Sequence, residues 1–176
     1  MSPQIMARWT VLTGLLFMVL GAVDPLEGSL LIVMGHLLCF SGVRLGGRPT
    51  PRQARLMLVP PLILVLAACL AILRHGWSWI PLLLLGLVCV AALVLEWGIR
   101  HCAPAEPRCV GISAGMTVLG VAAMWILSSF GGFGQGALSW WWALLVLPYP
   151  LGWLRGLYSL GRWIGEGADS SAHAKN

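Results

Sequence analysis

Basic residues and apolar runs alternate along this chain, and that alternation limits the possible folds more than any motif does. Six apolar segments are separable, at 9–23, 24–43, 56–73, 77–97, 110–130 and 139–157. Of the eleven Lys and Arg residues, all but Arg74 fall at the ends of the chain or in the gaps after the second and fourth segments. Arg8 precedes the first segment. Arg44, Arg48, Arg52 and Arg55 follow the second, and Arg100 and Arg108 follow the fourth. Arg155, Arg162 and Lys175 belong to the C-terminal region. Asp24, Glu27 and Arg74 occupy the alternate gaps. Basic residues stay on the cytoplasmic side of a membrane, so the pattern predicts both termini inside and the acidic turn outside.

Composition agrees with a bilayer as solvent. Only 10% of the 176 residues are charged and 59% are hydrophobic, with mean hydropathy +0.86. A soluble domain carries about 25% charged residues. The net charge of +5 reflects arginines scattered between apolar runs, so it is not the footprint of a nucleic-acid binder. A spanning helix needs about 20 apolar residues. Segments three to five meet that length. The first is short unless residues 5–8 extend it, so the hairpin 9–43 can be thin or partly re-entrant. The fold expected is all-α: an integral membrane bundle of about six transmembrane helices over 1–165, N-in and C-in, with a disordered cytoplasmic tail at 166–176. Trp77, Trp79 and Trp140–Trp142 fall at the outer helix starts, and Trp9, Trp97, Trp153 and Trp163 near the inner ends, where indoles collect at headgroups. Residues 21–25, Gly-Ala-Val-Asp-Pro, lack a signal-peptidase site, so the first segment is expected to be retained.

Few residues can carry chemistry. Asp24-Pro25-Leu26-Glu27 reads as a helix start, with Asp at the N-cap, Pro at the first position and Glu completing a capping-box pattern. Its two outward carboxylates could alternatively bind a cation or relay protons. His36 lies about twelve residues into segment two, roughly 18 Å along it. An ionisable group at such depth is a functional candidate by default, although a neutral imidazole satisfied by a carbonyl or hydroxyl is the simpler reading. No second His lies at a matching depth for haem. Glu96 falls near the inner boundary with Arg100 at i+4, which fits an ion-paired anchor better than a proton relay with His36. His101-Cys102 and Cys109 make a poor metal set, and a reducing compartment disfavours a disulfide there. No metal or cofactor is expected. The glycine-rich stretch 131–136 lacks the strand–loop–helix setting of a phosphate loop and reads as a turn, with Ser139 capping the next helix.

Segment five carries two stripes. Gly111 and Gly115 make a GxxxG step continued by Ala122, and small residues of this kind let membrane helices approach closely. Ser113, Thr117, Gly120 and Ser128 lie nearly opposite. The fifth helix is therefore expected to be central, with Gly111, Gly115 and Gly120 in contacts. Pro60-Pro61 predicts a kink in segment three. Pro148-Tyr149-Pro150 predicts either one kinked sixth span or a shorter span followed by an interfacial helix over 151–164.

Leu15-Leu16-Phe17-Met18-Val19, Gly21, Pro25, Gly28 and Gly35-His36-Leu37-Leu38-Cys39-Phe40-Ser41-Gly42 together resemble one hairpin of the HdeD-like acid-stress membrane proteins. The resemblance covers under a fifth of the chain. It implies a small six-helix membrane protein with no established enzymatic activity. Segments three to six do not repeat the pattern, so no family is assigned.

The expected function is that of a non-catalytic membrane component: an accessory, assembly or stress-associated protein of the bacterial cytoplasmic (inner) membrane. Its partners would be the lipid bilayer and either further copies of the chain or another membrane protein, with no nucleic acid. A small proton-linked channel or transporter, acting as an oligomer through His36, Ser113 and Thr117, is the alternative. A lipid-directed membrane enzyme comes last, because no paired carboxylates or nucleophile–base set supports it.

Overall fold

The computed structural model describes residues 2–76, 79–101, 106–131 and 140–173; for 140 and 167–173 it describes the backbone alone. The described residues form helices and turns without a strand. The order is α1 (Pro3–Leu20), α2 (Ser29–Arg44), α3 (Pro51–Leu56), α4 (Val59–His75), α5 (Trp79–Arg100), α6 (Pro107–Ser129), a 3-10 helix (Trp140–Val146) and α7 (Pro148–His173). Among the described residues, four stretches are long and apolar enough to cross a membrane by length and composition: Pro3–Leu20, Pro51–His75, Trp79–Arg100 and Pro107–Ser129. The α2 helix is apolar but only 16 residues long.

Prolines set most of the helix starts. Pro3, Pro51, Pro60 and Pro107 each occupy one of the first two positions of a helix, where the missing N–H has no intrahelical partner to lose. The expected kink at Pro60-Pro61 is therefore a helix start, with the break displaced to Met57-Leu58. Pro148 likewise begins α7. The α3 helix is fixed by a capping box: Thr50 Oγ1 accepts from the Gln53 N–H at 3.3 Å, and Gln53 Oε1 accepts from the Thr50 N–H at 3.0 Å. Gly76, with φ +84°, terminates α4 in the left-handed conformation, which a residue without Cβ adopts readily.

The α1–α2 hairpin is held by glycine at seven-residue spacing. Seven residues fall about 20° short of two full turns, so Gly28, Gly35 and Gly42 share one face of the α2 approach. They meet Gly21, Gly14 and Ala7 in turn. A Cβ on Gly14 would lie 2.6 Å from the Gly35 carbonyl oxygen, one on Gly28 would lie 2.7 Å from that of Gly21, and one on Gly42 would lie 2.8 Å from that of Ala7. Each pair's residue numbers add to the same constant, so the antiparallel register runs without a slip.

The centre belongs to α7, not to the fifth predicted segment. It packs chiefly against α5 and α6, which have little contact with each other. Trp153, Leu157, Leu160, Trp163 and Ile164 are all buried. Over 151–164, where an interfacial helix was one of the two expectations, Trp153 and Trp163 are turned into the protein. Trp153 Nε1 donates to the Met18 carbonyl at 3.1 Å. Helical backbone continues through His173, into the stretch expected as a disordered tail.

Charge sorting is visible as two ends. At one end, Arg48 approaches Glu166 (3.9 Å) and lies over the Trp163 ring, while Arg55 and Arg100 bind Glu96. At the other, Tyr149 Oη donates to the Pro25 carbonyl at 2.7 Å, tying the start of α7 to the acidic turn. Tyr149→Phe is expected to cost about 1 kcal/mol, the usual net worth of such a bond, read as a lower melting temperature of the purified protein. The last long helix begins at Pro148, inside the segment expected over 139–157, and the 3-10 helix packs beside α6. Arg155 therefore leaves the group in which the sequence pattern placed it and lies partway along the bundle.

Candidate functional site

The α7 helix has four sides, and their contents define the site. At 100° per residue, Gly152 and Gly156 share one side while Gly161 and Gly165 lie half a turn away. A Cβ on Gly152 would lie 2.7 Å from Thr117 Oγ1, and one on Gly156 would lie 2.2 Å from His36 Nε2, so the first side receives α6 and α2. Cβ atoms on Gly161 and Gly165 would lie 2.5 Å and 2.4 Å from the Leu95 and Ile99 carbonyl oxygens of α5. The buried side with Trp153, Leu157, Leu160 and Ile164 includes the bond to α1. The fourth side carries Leu151, Arg155, Tyr158 and Arg162, where Leu151 and Arg155 are exposed. It opens between α5 and α6.

His36 is fully buried. Because α2 starts at Ser29 rather than at Asp24, it sits seven residues into the helix, about 10 Å instead of 18 Å. Its Nδ1 donates to the Ile32 carbonyl at 3.0 Å. A carbonyl can only accept, so Nδ1 carries the proton and a neutral ring leaves Nε2 as a bare acceptor. Nε2 has no hydrogen-bond partner among the described residues. Glycine at 156 lets the ring tip touch the α7 backbone. Ser29 Oγ is buried and unpartnered in the same way.

Ser113 and Thr117 are buried, and their hydroxyls donate to the Cys109 and Ser113 carbonyls at 2.8 and 2.9 Å. Such i−4 bonds satisfy a hydroxyl within its own helix. Of the three glycines expected in α6 contacts, Gly120 is closest: a Cβ there would lie 2.2 Å from the Tyr149 nitrogen. A Cβ on Gly111 would lie 3.0 Å from the Phe40 ring, whereas nothing lies within 4 Å of a Cβ on Gly115. The GxxxG step is thus not a two-point contact, since its second glycine faces outward.

Glu96 sits at the basic end of α5. Arg55 holds it in a fork, Nε to Oε2 and Nη2 to Oε1, both at 2.8 Å, and Arg100 Nε reaches Oε1 at 2.9 Å. The i+4 partner was legible in the sequence and the stronger Arg55 partner was not, because it comes from a separate helix. No contact joins Glu96 to His36 among the described residues. His101 is set beside Trp97, whose Nε1 donates to His101 Nε2 at 3.0 Å while Nδ1 donates to the Trp97 carbonyl at 2.9 Å. Cys102, the stretch 132–136 and Ser139 lie outside the described residues, as do Trp77 and Lys175. Among the described residues no three His, Cys, Asp or Glu groups are placed to hold a metal.

The acidic turn is capped differently from the expectation. Asp24 Oδ1 accepts from the Leu26 and Glu27 N–H groups, both at 3.2 Å. It caps a single turn closed by the Gly28 N–H on the Asp24 carbonyl at 2.7 Å, and α2 itself begins four residues later than a cap at Asp24 requires. Glu27 borders two open grooves, one of about 320 Å³ with Leu20 and Leu64, the other of about 490 Å³ with Trp125 and Ser128.

Arg155 is the residue that sequence reasoning missed. It lies six residues beyond Tyr149 and eleven before Glu166, about 9 Å and 16 Å by helical rise, at the level of His36. It makes no ion pair or hydrogen bond among the described residues. The signal was present in the Gly152–Gly156 and Gly161–Gly165 steps, which mark an enclosed helix rather than a surface one. Comparison with protein-family models, curated proteins and solved structures finds no match, so the likeness of the first hairpin to the HdeD-like proteins rests on its own residues alone.

Proposed function

We propose that this chain is a non-catalytic component of a bacterial cytoplasmic membrane, with both termini inside, acting as an accessory or assembly subunit. The observation that carries the reading is the use to which the buried polar groups are put. Ser113 and Thr117 bond their own helix, and His36 is closed against Gly156. These groups serve helix packing, and none borders the described grooves. Mild-detergent purification should recover the chain with a membrane protein in fixed stoichiometry. A stable chain with no partner sinks the proposal.

Orientation has its own check. An impermeant thiol reagent should reach Cys102 and Cys109 only after the cytoplasmic face is opened. Labelling in intact cells would reverse the assignment. A proton-linked channel or transporter is the second reading, favoured by the bare Nε2 of His36. It requires a proton flux in proteoliposomes that His36→Ala abolishes while the protein still folds.

A further inference from the structure

We propose that Arg155 is the docking charge for a carboxylate on a transmembrane helix of a partner protein, which lies in the cleft between α5 and α6 with α7 as its floor. The inference rests on the accessory reading and names the chemistry of the partner.

Three observations carry it. First, the open side of α7 faces between α5 and α6, which scarcely touch each other. Leu151 and Arg155 are exposed on it, and Tyr158 continues it to a ring contact with Trp97 at 5.1 Å. Second, Arg155 lies inside the length of the bundle, where a guanidinium is expensive unless it is paired. Third, this chain has no carboxylate to give it. All six acids are accounted for. Asp24 caps the outer turn, and Glu27 follows it there. Glu96 is held by Arg55 and Arg100, and Glu166 by Arg48. Glu106 precedes α6 at the basic end, and Asp169 lies fourteen residues beyond Arg155, about 21 Å along α7.

A second copy of the chain would bring its own acids to the same two ends, so it offers no carboxylate at this depth. An Asp or Glu midway along another protein's spanning helix does. The guanidinium forms a two-pronged pair with a carboxylate, and the apolar faces of α5 and α6 would enclose the rest of that helix.

The test uses the full chain in its native membrane. A photo-crosslinking residue replaces Leu151, and the crosslinked peptide of the adduct is identified by mass spectrometry. The expected result is a membrane-spanning peptide containing Asp or Glu. Arg155→Leu should reduce the adduct at least tenfold, and Arg155→Lys should retain part of it. Arg155→Asp should lose it, with recovery when the partner's acid becomes Arg. Purified Arg155→Leu protein should melt no lower than the native chain, because an unpaired charge has been removed. An adduct to phospholipid alone overturns the proposal in favour of a lipid phosphate. So does a protein adduct that Arg155→Leu leaves unchanged, or a purified Arg155→Leu chain that fails to fold. If a partner co-purifies equally with native and Arg155→Leu chains, the accessory reading stands and this docking charge does not.

Discussion

Gly35→Leu is expected to separate α1 from α2, at a loss of more than about 3 kcal/mol, the upper end for overpacking a well-filled interface. The reason lies in what the new side chain meets. A Cβ at residue 35 would lie 2.6 Å from the Gly14 carbonyl oxygen and 2.8 Å from the Met18 nitrogen. Both are backbone atoms, so no rotamer change can clear them, and the helices must move apart along their whole register. The purified variant should melt far below the native protein. Gly86→Ala is the matched control, because nothing lies within 4 Å of a Cβ there. It should be neutral or stabilising by about 0.5–1 kcal/mol, the helical advantage of Ala over Gly. A Gly35→Leu protein that melts like the native one would show that the hairpin is not built on this contact.

The second large effect couples α7 to His36. Gly156→Ala should cost about 2 kcal/mol, since its methyl would lie 2.2 Å from Nε2 and the ring would have to leave its place beside the backbone. His36→Ala should cost a similar amount through the cavity it leaves. Together they should cost less than the two separate losses added, by about 1–2 kcal/mol, because the truncated ring makes room for the methyl. Strict additivity, measured by denaturant titration in detergent, would mean that His36 does not rest on Gly156.

Hydropathy exposed some of this architecture and concealed the rest for one physical reason. It finds helices that face an apolar solvent. The α4 helix belongs to the most apolar of the four spanning-length stretches, yet buries only Pro61 and Val65. The α7 helix, with its glycines and arginines, falls outside that group and fills the centre. A helix enclosed by others can be poor in large apolar residues, because its neighbours reach its backbone. The tryptophan triplet at 140–142 drew the start of the expected sixth segment to 139, whereas the last long helix starts at Pro148 and Arg155 lies partway along it. The glycine spacing of α7, with its two opposed contact sides, is the sequence signal of that enclosed position. The Glu96–Arg100 pair was legible because both residues lie on one helix. The Arg55 fork, the His36–Gly156 contact and the Tyr149–Pro25 bond join distant stretches, and only the fold brings those together.

The position of α7 also sets a schedule. During synthesis α1 and α2 leave the ribosome together and can zip along their glycines at once. The α5 and α6 helices emerge later with almost nothing to hold between them, and they stay apart until α7 arrives. Closure of the bundle therefore waits on residues 148–166, and a chain ending before residue 148 would leave the inner faces of α5 and α6 uncovered.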